Sequence, residues 1–113
     1  MASLLALDIT GAFDHVLQEH LVHVLRAKGV PAELAAWIRT YMTGRSTIIV
    51  IADAESEEFQ VPAGVPQGSP MSPILYLFYT AELLEACNNS RERLSASVFV
   101  DDTTLLAYGP STE

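Results

Sequence analysis

The chain has 113 residues, 50% of them hydrophobic, and a formal net charge of −8 from 14 acidic and 6 basic residues. This length and composition predict one small domain with a single core and exclude a disordered chain. The acidic balance excludes tight nucleic-acid binding by this chain alone, because neutralising phosphates requires clustered Lys and Arg, so only weak binding is expected. Cys87 is the only cysteine and no apolar run is long enough to span a bilayer, which predicts a soluble, intracellular protein with no membrane partner.

The first part of the chain is predicted to form a strand and two helices. Residues 3–9 are an apolar run typical of a buried strand. Asp14 is expected to cap a helix with apolar residues at helical spacing, which ends at Gly29. A second helix with one apolar face is predicted from Pro31 to Gly44.

The second part is predicted to form two hairpins around a further helix. Residues 46–52 and 58–61 have the pattern of paired strands joined by an acidic turn. The Pro- and Gly-rich stretch that follows prevents regular structure until about Ser69, and an apolar helix is predicted over residues 71–87. A last hairpin is predicted over residues 96–108. The order β-α-α-β-β-α-β-β predicts an α+β domain, with helices packed on one face of an antiparallel sheet.

The last hairpin carries two adjacent carboxylates, Asp101 and Asp102, between apolar runs at residues 98–100 and 105–108. Turn formation is one explanation, since Asp tolerates the backbone geometry of a tight turn. Asn-Gly or Asp-Gly is the commoner choice, however, and two neighbouring carboxylates repel each other. A bound divalent cation accounts for the pair, because Mg²⁺ and Mn²⁺ prefer carboxylate oxygens.

Asp8 also lies at the end of an apolar strand and is followed by a polar, Gly-containing turn. If its strand and the 98–100 strand are neighbours, Asp8, Asp101 and Asp102 converge at one edge of the sheet. Two metal ions about 3.5–4 Å apart, held by shared carboxylates, would then stabilise the attacking and leaving oxygens of a phosphoryl transfer. From the residues alone, a metal site and a simple combination of hairpin turn and helix cap both remain open.

The loop "GVPQGSPMSP" is a second candidate element. Gln67 offers an amide and Gly68 an unobstructed backbone, and the N-terminus of the next helix points toward the same region. An ordinary Pro/Gly connector explains the same residues. Arg45, between the second helix and the middle hairpin, is the basic residue with a candidate phosphate contact.

Three stretches, "LDITGAFD", "VPQGSPMSPILYLFY" and "FVDDTTLLAYG", resemble the palm motifs A, B and C of reverse transcriptases. The likeness is greatest to the LINE-type (non-LTR) retrotransposon group and covers essentially the whole chain. It implies a polymerase-palm-like fold. It also implies that Asp8 and the main-chain carbonyl of Ile9 bind metal, that Asp101 binds both ions, and that Asp102 has a less direct role.

The resemblance further implies that Phe13 is a steric gate against a ribonucleotide 2′-hydroxyl and that Gln67 and Gly68 line the nucleotide and template pocket. The implied reaction is attack of a primer 3′-hydroxyl on the α-phosphate of a deoxynucleoside triphosphate, with two Mg²⁺ or Mn²⁺ ions as cofactors. The implied partners are an RNA template and a DNA primer, in the nucleus or cytoplasm. Asp14 is expected to remain a structural cap.

The family's fingers, which precede motif A, and its later palm segments and thumb are not found in this sequence. Residues 1–113 are therefore interpreted as a partial reverse transcriptase palm, expected to be inactive as an isolated chain. The alternative is a catalytically silent retrotransposon remnant that acts as a folded or self-associating module, and a homodimer is one hypothesis for that module.

Overall fold

The computed structural model describes residues 1–89 and 93–110 and has an α+β architecture with antiparallel sheets, as predicted. The elements in chain order are β1 (Ala2–Asp8), α1 (Gln18–Ala27), α2 (Ala32–Met42), β2 (Ser46–Thr47), β3 (Val50–Ile51), β4 (Ala54–Glu55), β5 (Phe59–Gln60), α3 (Ser72–Asn88), β6 (Leu94–Phe99) and β7 (Asp102–Tyr108). None of the helices in these ranges combines the length and hydrophobicity that crossing a membrane requires.

The main sheet has three antiparallel strands in the order β1-β7-β6. The neighbour of β1 is therefore β7, the second strand of the last hairpin, and the strand that contains residues 98 and 99 lies on the far side of β7. The condition that the Asp8 strand adjoins the 98–100 strand is not met. Instead, the register places Asp8 directly opposite Asp102.

The middle hairpin is divided into two short strand pairs. β2 pairs with β5, and β3 pairs with β4 inside that outer pair. The chain reverses at Ala52, whose φ of +53° makes the inner turn tight enough for part of the predicted acidic turn to pair as a strand. The outer and inner pairs are linked where the Ser56 amide donates to the Ile49 carbonyl at 2.9 Å.

The prediction that Asp14 caps the first helix is wrong. α1 begins at Gln18 with Leu17 at its N-cap and no capping side chain, and the chain before it makes a turn in which the His15 amide donates to the Gly11 carbonyl at 3.1 Å. The predicted end is correct, because Gly29 adopts a φ of +87° and the Val30 amide donates back to the last turn of α1.

The hydrophobic core is built by helices and loops. Its buried members are Ala12, Val16, Leu21, Leu25, Ile38, Met42, Val65, Leu75 and Tyr76. α1 packs on α2 and on α3, whereas α3 is the only helix of the described residues in contact with the main sheet, through β6. The expected packing of helices on one sheet face is thus correct for α3 alone. As a result, the prediction of a buried strand over residues 3–9 is wrong: β1 is exposed along its length, with Leu4 and Leu5 69% and 54% exposed.

Candidate active site

Asp8 and Asp102 face each other across two neighbouring strands. Asp8 is the last residue of β1 and Asp102 the first of β7, and they are register partners. Directly opposite residues project from the same sheet face with Cβ atoms about 4.5–5.5 Å apart, and like charges in that position are destabilising. The arrangement therefore carries an electrostatic cost that a cation between the two carboxylates would remove.

The face that carries this pair is the one turned away from α3. Along β6, residues 94, 96 and 98 are half-buried while residues 95, 97 and 99 are exposed, so α3 covers the first set. Phe99 belongs to the exposed set, is 78% exposed and is the β6 register partner of Asp102. Asp8, Asp102 and Phe99 therefore form one row across the open face of the sheet.

Asp101 lies in the turn between β6 and β7, where Val100 adopts a φ of +57°. It lines a cavity of about 360 Å³ together with Phe13, Gln67 and Gly68. Tertiary structure thus collects a member of each of the three motif stretches, which are far apart in sequence, around one cavity. Ile9 follows β1 directly and is 37% exposed.

The three aspartates do not form one cluster. In residues 1–89 and 93–110, no group of three or more His, Cys, Asp or Glu side chains is placed to hold a metal ion. The arrangement is a facing pair, Asp8 and Asp102, with Asp101 next to it along the chain and at the wall of the cavity.

The helix α3 supplies an aromatic support beneath the cavity. The ring of Phe13 packs against that of Tyr76 with centroids 5.3 Å apart and planes at 60°. Burial raises the pKa of the Tyr76 hydroxyl, and the negative charge of Asp101 and the neighbouring Tyr79 raise it further. Tyr76 therefore stays neutral at physiological pH, and it lies close enough to Asp101 for the carboxylate charge to affect the pKa of its hydroxyl.

The loop before α3 is fastened to the turn after β1 by backbone hydrogen bonds. The Val65 amide donates to the Phe13 carbonyl at 2.8 Å, and the Gly64 amide donates to the Val16 carbonyl at 2.9 Å. These bonds join the motif A and motif B stretches, so Phe13 and Gln67 keep a fixed relative position.

Arg45 holds the same loop from the other side. Its guanidinium donates to the carbonyls of Met42 at 3.2 Å, Ala63 at 3.1 Å and Gly64 at 2.6 Å. The structure thus uses this guanidinium to hold backbone carbonyls. These three hydrogen bonds give no support to the phosphate contact that the sequence suggested for Arg45.

Sequence reasoning missed one polar contact at the site. The Gln67 Nε2 donates to Asp14 Oδ1 at 2.9 Å. The two residues are 53 positions apart, and an Asp before a helical pattern has the appearance of an N-cap. No local pattern signals the contact, which depends on the loop packing described above.

Comparison with known proteins gives a consistent result. The sequence model of the family described as "Reverse transcriptase (RNA-dependent DNA polymerase)" matches residues 2–112. The chain is 28% identical over 112 residues, 92% of its length, to the retrovirus-related Pol polyprotein from type-1 retrotransposable element R2 of Popillia japonica, of which it covers 18%. It is 34% identical over 99 residues, 87% of its length, to the probable RNA-directed DNA polymerase from transposon X-element of Drosophila melanogaster, of which it covers 11%.

A third relative is the retrovirus-related Pol polyprotein from type-2 retrotransposable element R2DM of Drosophila melanogaster, 31% identical over 107 residues, 89% of this chain. The chain covers 10% of that relative. It thus spans less than a fifth of the length of each of these three relatives.

Proposed function

Because the chain belongs to the reverse transcriptase (RNA-dependent DNA polymerase) family, in its non-LTR retrotransposon group, we propose that it is part of the catalytic palm of an RNA-directed DNA polymerase. The single observation that carries this proposal is the placement of the three motif stretches. The Asp8–Asp102 pair occupies the open sheet face, and the adjoining turn residue Asp101 lines a cavity with Phe13 and Gln67.

In this proposal the cavity of about 360 Å³ receives the incoming deoxynucleoside triphosphate. Phe13, supported by Tyr76, limits the space at the sugar and disfavours a 2′-hydroxyl. The space beside Gly68 is open, because a Cβ there would meet no atom of the described residues within 4 Å, so a ligand can approach the Gly68 backbone closely. In the reaction, the primer 3′-hydroxyl loses its proton to solvent and its oxygen bonds to the α-phosphorus. The bond from the α-phosphorus to the oxygen that bridges it to the β-phosphate breaks, and pyrophosphate leaves with that oxygen.

The facing pair of aspartates, Asp8 and Asp102, offers a divalent cation carboxylate donors from two strands. Carboxylate oxygens on Asp8 and Asp102 are hard ligands, and a cation relieves the repulsion between two like charges that face each other. Asp101 and the main-chain carbonyl of Ile9 are the further ligands in this proposal, which takes Mg²⁺ or Mn²⁺ and two ions. When bound, the ions would neutralise charge that develops on the attacking and leaving oxygens.

The isolated chain is expected to bind an RNA template and DNA primer weakly and to extend no primer. Its net charge is −8. Several of its basic side chains already have internal acceptors: Arg26 donates to the Val30 carbonyl, Lys28 pairs with Glu85, and Arg39 pairs with Glu19. Arg45 donates to backbone carbonyls, so its guanidinium keeps its charge but several of its N–H donors are already in use, which leaves fewer donors for phosphates.

Metal binding provides the direct test. Titrating Mn²⁺ into the isotope-labelled chain is expected to broaden the amide signals of Asp8, Asp101 and Asp102 first, because paramagnetic relaxation falls steeply with distance from the ion. Asp8→Asn should remove this selectivity, whereas Asp53→Asn, in the turn between β3 and β4, should leave it unchanged. Uniform broadening in the unmodified chain would refute the metal site.

Primer extension tests the expected inactivity. On a poly(rA) template with an oligo(dT) primer, the isolated chain is expected to give no product in Mg²⁺ or Mn²⁺. Robust synthesis that Asp101→Ala abolishes would show that the chain is a complete catalyst and would overturn this part of the proposal.

A second candidate function, a self-associating module without catalysis, is favoured by one observation. β1 is an edge of the main sheet, and Leu4 and Leu5 on it are 69% and 54% exposed. An uncovered apolar edge strand is a template for pairing with another chain. Under this candidate, light scattering gives a dimer mass that Leu4→Lys returns to the monomer value, and a monomer mass at all concentrations argues against it.

A further inference from the structure

Gln67 lies at the boundary of two cavities. It lines the cavity of about 360 Å³ with Phe13 and Asp101, and also a neighbouring cavity of about 550 Å³ with Arg45 and Asp14. Of these two cavities, Asp14 lines the larger one. The orientation of the Gln67 carboxamide therefore decides which polar atoms the smaller cavity presents to a ligand.

Asp14 determines that orientation by its chemistry. The Gln67 Nε2 donates to Asp14 Oδ1 at 2.9 Å, and an ionised carboxylate can only accept hydrogen bonds. If the Gln67 amide oxygen and nitrogen exchanged positions, the amide oxygen would face the Asp14 carboxylate oxygen. Two acceptor oxygens repel each other. The amide nitrogen must then face Asp14, while the amide oxygen and the second N–H remain for a ligand.

The backbone of Asp14 is itself held in place. Gly64 packs so closely that a Cβ on it would lie 2.9 Å from the Asp14 Cα and carbonyl oxygen. The preceding residue, Phe13, accepts the Val65 amide at 2.8 Å. The Asp14 carboxylate therefore extends from the same turn as Phe13, and these contacts hold the backbone of that turn in place. Since the helix α1 begins only at Gln18, Asp14 has no capping role there.

We propose that Asp14 is a positioning residue, which fixes the Gln67 carboxamide at the wall of the nucleotide cavity. This inference rests on the proposed function, in which that cavity takes a deoxynucleoside triphosphate. Asp14 acts through Gln67 and does not itself contact the nucleotide. Removal of the Asp14 carboxylate should then weaken nucleotide binding in the same way as removal of the Gln67 amide.

The ligand-free test follows the two Gln67 side-chain N–H signals in the isotope-labelled chain. In the unmodified chain the two signals are expected to lie further apart than those of a solvated glutamine, because one N–H is bonded to the Asp14 carboxylate. This extra separation should disappear in Asp14→Ala, whereas Asp14→Asn should retain part of it because its amide oxygen still accepts. The matched control is Asp53→Ala, which removes one exposed charge from the β3–β4 turn. Gln67 signals that are unchanged in Asp14→Ala would overturn the proposal.

The ligand test measures binding of dGTP with Mg²⁺. Asp14→Ala is expected to raise the Kd about fivefold, the effect of losing one oriented hydrogen bond, and to have no further effect in a Gln67→Ala background. Equal effects of Asp14→Ala in both backgrounds would overturn the positioning role. If the unmodified chain binds no dGTP, the nucleotide cavity of the proposed function is refuted, whereas the role of Asp14 is still decided by the ligand-free signals.

Discussion

Replacing Gly64 by alanine is expected to lower the free energy of unfolding by about 2–5 kcal/mol. A Cβ at this position would lie 2.9 Å from the Asp14 Cα, the Asp14 carbonyl oxygen and the Phe13 carbonyl oxygen, all of them backbone atoms. Relieving such contacts requires the two loops to separate, which costs about 1–3 kcal/mol. The φ of +86° adds about 1–2 kcal/mol for a residue with a side chain.

Gly29→Ala is the matched control, to be measured alongside by urea unfolding followed with far-ultraviolet circular dichroism. Gly29 has nearly the same φ, +87°, but a Cβ there would meet no atom within 4 Å in residues 1–89 and 93–110. Its alanine variant should lose only the backbone contribution of about 1–2 kcal/mol. Equal losses in the two variants would mean that the contact between the motif A and motif B loops is absent in solution.

Truncating Leu21 to alanine is expected to cost about 3 kcal/mol, whereas truncating Leu5 should cost about 1 kcal/mol or less. Leu21 is 0% exposed at the centre of the helical core, so its removal leaves a cavity. Leu5 is 54% exposed on β1, so its side chain has little apolar contact to lose. Urea unfolding at a concentration where the chain is monomeric provides the comparison.

Hydrogen exchange tests the same distribution of stability residue by residue. Amides of α1 should exchange only on global unfolding, whereas those of β1 should exchange through a local opening of lower free energy, because β7 is the only helix or strand of the described residues that β1 contacts. A cost for Leu5→Ala equal to that for Leu21→Ala, or equal protection of β1 and α1, would show that the sheet belongs to the same cooperative core.

These expectations bear on the proposed site. The Asp8–Asp102 pair and Phe99 lie on a sheet whose open face has no cover from the three helices. The cavity with Phe13 and Gln67, in contrast, is built on the helical core through Tyr76 and the fastened loop. We therefore expect Asp8 and Asp102 to stand on the less stable part of the fold and the Phe13 and Gln67 wall of the cavity on the more stable part, while Asp101, in the β6–β7 turn, belongs to both the candidate metal site and the cavity.

Elements that depend on local patterns were predictable. The apolar run of β1, the helical spacing and terminal glycine of α1, and the last hairpin all occur close to their expected positions. Each is determined by residues a few positions apart, through helix periodicity, strand alternation or the freedom of glycine at positive φ. The start of α1 was mispredicted because Asp14 is bonded to Gln67, a residue distant in sequence.

Relations between elements could not be predicted in the same way. Which strand of the last hairpin adjoins β1 depends on pairing across almost the whole chain, and an apolar strand pattern is compatible with either neighbour. The role of Arg45 was equally open, because a guanidinium can bind a phosphate or a carbonyl, and only folding brings the loop carbonyls of Ala63 and Gly64 to it beside that of Met42 at the end of α2.

By itself, the amino-acid sequence determined the α+β class, the acidic character and the three motif stretches that mark the family. The tertiary structure alone decided that Asp8 faces Asp102, that Asp101 joins Phe13 and Gln67 around a cavity, and that Asp14 accepts a hydrogen bond from Gln67. The reason is the range of the interactions: hydrophobic periodicity and turn chemistry act between near neighbours, whereas register and loop contacts follow from how the whole chain packs.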